Sequence, residues 1–545
     1  MPLEIRALSS LDKLFPDETP TACVPFTEGF RNEVISWQLA LRLTDGRMPC
    51  SLTVSVDSPL NSYTEILQVR HVPVRLATYS DADDRYLRKQ PGLYPDLLAR
   101  PHAHSIRAFP DHWECVWLTV NAQGAVPAGT YPVTVRFHDA GGTLLGEHTQ
   151  SVTLLPGLLP DQQLWHTRWF HADCLAQFYH VPVFSEEHWQ IMENFVRSAA
   201  DCGVNMLLMP VHTPPLDTRP GSERLPVQLT DIRLEDGEYR FDMTRVHRWI
   251  RMCLDCGIRA FEIAHLFTQW GAEHAPNIYA TAGGRTVRIF GWETDAGGEA
   301  YRAFLQAYIP ALRTVFREEG IEDRVWWHIS DEPSQDQLPV YLRARNQVLD
   351  LLSGAQIMDA LSNFDFYSQG VVRHPVVASN ALGPFLAHHV PDLWMYVCCS
   401  QYRDVANQFM AMPSARCRVL GAQMFRYHIR GFLHWGFNFY NSQYSDYPID
   451  PYACTDADGA FPAGDPFLVY PGHDGRPEAS IRYMVFREAM QDLRALEWLA
   501  SLAGHETADA CLGSMTLTEY PHDPESLIRL RQNINGRILE YTGLA

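Results

Sequence analysis

Three times along the chain a helical stretch ends at a glycine and an apolar strand follows at once. The first, SEEHWQIMENFVRSAADCGVNMLLMPVHT, opens at Ser185 and turns at Gly203. Ser185 is a helix-capping residue type, with Glu186 and Glu187 in the first turn. Trp189, Met192, Val196 and Ala199 share one helical face, and glycine is the residue that most often ends a helix. The second unit, VHRWIRMCLDCGIRAFEIAHL, repeats the stop at Asp255, Cys256 and Gly257. The third, FREEGIEDRVWWHIS, has Gly320 and Ile321 in the same place. Glycines spaced 54 and then 63 residues apart predict repeated βα units and a parallel sheet.

Counted the same way, eight strands emerge: LWHTRWFH, NMLLMPVHT, AFEIAHL, VWWHISDE, QIMDALS, VVASNAL, LWMYVCC and GFLHWGFN. Eight is the number of a (β/α)8 TIM-type barrel, and residues 161–504 have room for one. An open doubly wound sheet is the alternative, but no GxGxxG follows a first strand. The segment SIRYMVFREAMQDLRALEWLASLAG supplies the last barrel helix. Residues 505–545 form a C-terminal helical extension around SLIRLRQNINGRILEY. Before the linker LLPGLLPDQQ the grammar differs. VISWQLALRL, SLTVSVDS, WECVWLTVNA and TYPVTVRFHD are short β-rich runs between turn signals. Residues 1–160 are therefore expected as an N-terminal β-sandwich, and the 545-residue chain as multidomain.

Composition limits the partners. A net charge of −20 without a basic block argues against nucleic acid and anionic membranes. No apolar run is long enough to span a bilayer, and the N-terminus lacks a basic-then-apolar leader. The chain reads as cytoplasmic, and as a possible homo-oligomer. The 12 cysteines make no paired CxxC motif and are read as reduced. The 14 tryptophans suit either a large aromatic core or a carbohydrate-binding cleft.

In a barrel of this kind chemistry sits where the strands end. Strand four ends in RVWWHISDEPS, with Asp331 and Glu332 adjacent. His212 and His265 at other strand ends raise a metal-dependent hydrolase. Yet His166 and His171 on strand one are five apart and leave the pleat on opposite faces, so no metal is expected. Glycoside hydrolysis needs two carboxylates about the scissile bond. The strand-seven position where a retaining barrel enzyme places its nucleophile, LWMYVCCSQ, has none. Substrate-assisted catalysis removes the difficulty, because a 2-acetamido group attacks C1 itself. Asp331 would then orient the amide and Glu332 would protonate the leaving oxygen. Mutual repulsion of the two would raise at least one pKa. The competing structural role for Asp331 is a cap for a helix beginning at Pro333.

These residues are similar to a known family. The Asp-Glu pair after an aromatic strand, LWMYVCC, and the ending GFLHWGFNFY, GDPFLVYPGHDG and SIRYMVFREAMQDLRALEWL resemble glycoside hydrolase family 123. FRNEVISWQLAL and PGLYPDLL resemble its N-terminal part. The resemblance implies a retaining, exo-acting β-N-acetylgalactosaminidase without cofactors, acting on an oligosaccharide or glycoconjugate. It implies Asp331 as the acetamido-orienting residue and Glu332 as acid/base. It also implies Tyr396 as a donor to the acetamido carbonyl, Trp394 and Trp435 as walls, and Asn438, His212 and Asp465 as hydroxyl ligands. Trp270 and Tyr367, at the ends of strands three and five, complete the expected substrate-binding set. The alternatives are a hydrolase of another glycoside with an unidentified nucleophile, and a non-catalytic carbohydrate-binding protein.

Overall fold

A computed structural model describes residues 3–46, 48–101 and 105–544. Eight short strands close into a ring in which every neighbouring pair is parallel. In order they are Trp165–Arg168, Met206–Met209, Ala260–Ile263, Val325–Trp327, Gln356–Leu361, His374–Ala378, Trp394–Tyr396 and Gly431–His434. All eight expected strands are present.

Helices cross over between them, among them Glu186–Asp201, Thr244–Asp255, Glu299–Glu318 and Ser414–Arg426, and Ile481–Ala503 follows the eighth strand. Ser185 caps the first of these, its hydroxyl accepting the His188 N–H at 3.2 Å. Gly203, Gly257 and Gly320 take φ of +89°, +99° and +66°, the left-handed turn that releases each helix into its strand.

The ring interior is packed, not hollow. Met206, Leu208, Ala260, Met358, Val376 and Leu433 fill it, with Trp326 and Trp394 5.3 Å apart between ring centroids. The Trp394 indole lies against the backbone of Gly431, where any β-carbon would run into the ring. Glycine is therefore required at the start of the eighth strand.

Two sheets lie on the N-terminal side. One orders Leu3–Ser9, Val34–Leu43, Glu114–Asn121, Thr64–Val74 and Gly92–Ala99, all antiparallel. The other orders Glu28–Phe30, Leu144–Leu155, Gly129–His138, Cys50–Asp57 and Ser105–Ala108, antiparallel except for its first pair. Alternation along Glu114–Asn121 shows how the first sheet is used. Val116, Leu118 and Val120 face the second sheet, while Cys115 and Trp117 join the large core shared with the barrel helices.

The first sheet also takes two strands from late in the chain, Pro477–Ser480 and Val469–Pro471, with Ala479 opposite Leu98. A further four-stranded sheet was not anticipated. It is built from Asp231–Glu235 and Glu238–Asp242 after the second barrel strand, and Ile278–Ala282 and Arg285–Phe290 after the third.

Candidate active site

The fourth strand ends at Trp327, and the next five residues are pinned by backbone bonds to both flanking strand ends. Leu266 N–H donates to His328 O (3.1 Å), Phe267 to Ile329 O (3.0 Å) and Trp270 to Asp331 O (3.2 Å). On the other side Glu332 N–H donates to Ala360 O at 3.1 Å. Glu332 itself has φ of +44°, a left-handed conformation costly for a residue with a side chain. In a regular strand Asp331 and Glu332 would leave on opposite faces. The divergence expected from strand pleating is therefore supplied by a loop instead, and the left-handed turn brings both carboxylates into one cavity.

Trp169, Ala360 and Leu433 line the cavity near the top of the packed barrel. Tyr396, Cys398, Cys399, Trp435 and Phe461 wall one side. Asp217, Gln269, Trp270 and Tyr444 complete it, with Trp270 set edge-on to Tyr444 at 5.9 Å. Asp331 is not a helix cap. Its carboxylate accepts the Gln269 side-chain amide at 2.7 Å, whereas Ser334 and Gln337 form the capping box of the short helix that follows. Burial first, and repulsion from Glu332 second, push the Asp331 carboxyl well above its ordinary range. Glu332 opens onto the cavity's solvent but is ringed by protein, and this desolvation raises its pKa while a hydrogen bond donated by the Tyr396 hydroxyl pulls it down. Both shifts favour a shared proton on the pair.

Of the expected substrate-binding residues, Tyr396, Trp435 and Trp270 line this cavity. Asp465 stands behind Trp435, accepting its indole N–H at 2.8 Å, and burial lifts its pKa to about 7. The other four do not line it. Trp394 is floor packing two residues below Tyr396, because a three-residue strand sends its first side chain into the barrel depth. Asn438 is spent on the backbone of His171, accepting its N–H (3.0 Å) and donating to its carbonyl (3.1 Å). His212 is fully buried, its Nε2 at 2.9 Å from the His265 carbonyl. Tyr367 lies on the single-turn helix Asp365–Ser368 and packs on Phe364 and Phe385.

Gln269, the ligand of Asp331, was visible beside Trp270 in FTQW, but nothing in the sequence shows its direction. Tyr444 is brought in by a loop whose φ of +60° leaves no signal in the residue type.

Below the pair, His328 lies between two carboxylates. Its Nε2 is 2.7 Å from Glu262 Oε2 and its Nδ1 3.3 Å from Asp359 Oδ1. His265, His328 and Asp359 are the one group among the described residues with metal-ligand proximity. Both His328 nitrogens already face carboxylates, so neither offers the free lone pair a cation needs. The donor set fits an ion-paired network better than a metal centre.

A family model described as the glycoside hydrolase 123 catalytic domain matches residues 169–499. No curated protein matches the chain. Among solved structures, a family 123 glycoside hydrolase from Clostridium perfringens, described for hydrolysis of glycolipid glycans, superposes with a TM-score of 0.73. It is 14% identical, over 99% of this chain and 98% of that one. A β-galactosidase from Bacillus circulans sp. alkalophilus overlaps with a TM-score of 0.36 at 9% identity, over 62% of this chain and 56% of that one, too low for the folds to be equated.

Proposed function

The chain belongs to glycoside hydrolase family 123, and from that premise we propose that it removes a β-linked N-acetylhexosamine, N-acetylgalactosamine foremost, with retention and with the substrate's own acetamido group as nucleophile. We read the ring and its helices as a (β/α)8 barrel that carries this chemistry, and the N-terminal sheets as a β-sandwich. Glycolipid glycans, which the Clostridium protein is described as hydrolysing, are the natural substrate class to try.

One observation carries the reading: Asp331 and Glu332 enter the same cavity, while the seventh strand brings a tyrosine and two thiols to its wall and no carboxylate. In the first step the acetamido oxygen forms a bond to C1 as the C1–O bond to the leaving group breaks. Glu332 gives its proton to the departing oxygen. Asp331 accepts the acetamido N–H and stabilises the positive charge that develops on the amide. That N–H also selects the ionised form of Asp331, which leaves the shared proton on Glu332. In the second step Glu332 takes a proton from water, the water oxygen bonds to C1, and the oxazolinium ring opens. Trp169 and Trp435 offer apolar faces to the sugar and its methyl group.

Asp217 is the remaining carboxylate of the cavity and sustains a second reading, direct attack on C1. Its Oδ2 accepts the Tyr444 N–H at 3.0 Å, an engagement that ties the rim instead. The test is hydrolysis of chromogenic β-GalNAc, β-GlcNAc and β-galactoside substrates by wild type and by Asp331→Asn, Glu332→Gln and Asp217→Asn. Turnover confined to the acetamido sugars, inhibition by a GalNAc-derived thiazoline and loss in Asp331→Asn are expected. Full activity in Asp331→Asn, or equal turnover of the galactoside, rejects acetamido participation.

A further inference from the structure

Three barrel strands deliver charge to a place without solvent. Glu262 comes from the third strand, Asp359 from the fifth, and His328 lies between them just past the fourth, all completely buried. Glu262 also accepts the Thr167 hydroxyl and the Trp169 indole N–H, the latter at 3.1 Å. Asp359 accepts the Ile329 backbone N–H at 2.9 Å and the Tyr341 hydroxyl. Among the described residues no lysine or arginine bonds to either carboxylate. His265 stacks on His328 at 4.3 Å with neither ring nitrogen hydrogen-bonded, so it contributes no counter-charge.

An unpaired buried carboxylate costs several kcal/mol. Among the described residues the imidazole between them is the single group placed to supply the cation. Burial opposes that charge, but the bonds to Asp359 and Glu262 outweigh it and hold the His328 pKa at about 9.

We infer that His328 is a constitutive imidazolium and a positioning residue that biases the catalytic pair toward an ionised Asp331. The inference rests on the acid/base roles proposed above. Asp331 lies three residues further along the same pinned segment. The Gln269 amide bonds it directly, while the charge of His328 favours its ionised form and those of Glu332 and Asp359 oppose it. The histidine's charge favours its ionised form, against burial and the repulsion of Glu332. Glu332 faces Tyr396, whose hydroxyl favours its ionised form, and Asp465, which opposes it, and among the described residues has no cation beside it. The Asp359 bond to Ile329 N–H fixes the same segment, so the carboxylate that pairs with His328 also helps fix the place of Asp331.

The test uses the full chain. Side-chain ¹⁵N spectra of wild type, with the His328 signals assigned by their loss in His328→Gln or their displacement in Glu262→Gln, are expected to show both nitrogens protonated at pH 7.5. A neutral ring there overturns the inference whether or not the enzyme cleaves any sugar. In folded His328→Gln or His328→Asn, the acidic limb of kcat/KM is expected to move up by about one pH unit or more, so that activity at pH 6 falls on the order of tenfold and partly returns at pH 8. A loss of activity that leaves the limb where it was would make His328 structural only and sink the proposal. A wild type inactive on acetamido sugars would instead break the functional reading and leave the spectroscopic result standing.

Discussion

At the scale of single residues the site turns on where two protons reside. Glu332→Gln removes the proton donor, and the fall in kcat should be about 10²–10⁴-fold on a sugar leaving group. A nitrophenyl leaving group needs little protonation, so its first step should suffer far less; steady-state assays on both aglycones check this. Asp331→Asn should cripple both alike, because the amide loses its partner whatever leaves. Tyr396→Phe deletes the hydroxyl that favours ionised Glu332. The Glu332 pKa then rises, and the alkaline limb of kcat/KM should extend to higher pH. A limb that stays put, or retreats, would show that Glu332 does not set it. The Asp-Glu pair was legible because two adjacent acids have no place in an apolar strand. The role of His328 was not, since a histidine in WWHIS reads the same whether it fills a core or carries a charge. Trp394 and Trp435 illustrate the same limit. Trp394 opens the three-residue seventh strand and Trp435 lies just past the eighth, and the residue type alone does not tell that one is floor and the other wall.

Among elements, the barrel strands and their glycine-stopped helices were readable because each combines a periodic apolar face with a left-handed exit that glycine alone takes cheaply. The four-stranded insertion was not. Its hairpin, DIRLEDGEYRFD, alternates partly buried and exposed positions, with Ile232 alone buried, and offers no continuous apolar run. The eighth barrel strand makes a testable demand. Gly431→Ala forces a β-carbon into the Trp394 ring, and overpacking of this sort costs roughly 1–3 kcal/mol or more. Chemical denaturation should register that loss. Trp394→Leu in the Gly431→Ala background should recover part of it, since the smaller side chain vacates the contested space.

The whole molecule is held by buried ion pairs between distant parts of the chain. Arg531, on the last helix Pro524–Thr542, reaches Glu33 at 2.6 Å and Asp492 at 2.8 Å. Asp492 and Glu488 in turn hold Arg418. Removing Arg531 leaves two buried acids short of a partner, a change worth about 3–5 kcal/mol. Arg531→Ala should lower the midpoint of unfolding by a corresponding amount, and the wild type should unfold in one calorimetric transition rather than separate N-terminal and barrel steps. Two resolved transitions would refute this coupling. Arg482 and Asp96 make a similar fully buried pair at 2.8 Å, beside the junction of Pro477–Ser480 with Gly92–Ala99. Those partners lie 386 residues apart in sequence. A ribosome adding roughly 5–20 residues per second needs on the order of 20–80 s to bridge that interval. Throughout it the strand Gly92–Ala99 is an open edge on a finished-looking sheet, able to pair with any passing chain. The nascent polypeptide must therefore be sheltered until Pro477–Ser480 emerges, and slowed translation between the two strands should raise the yield of aggregate more than slowing after the second has been made.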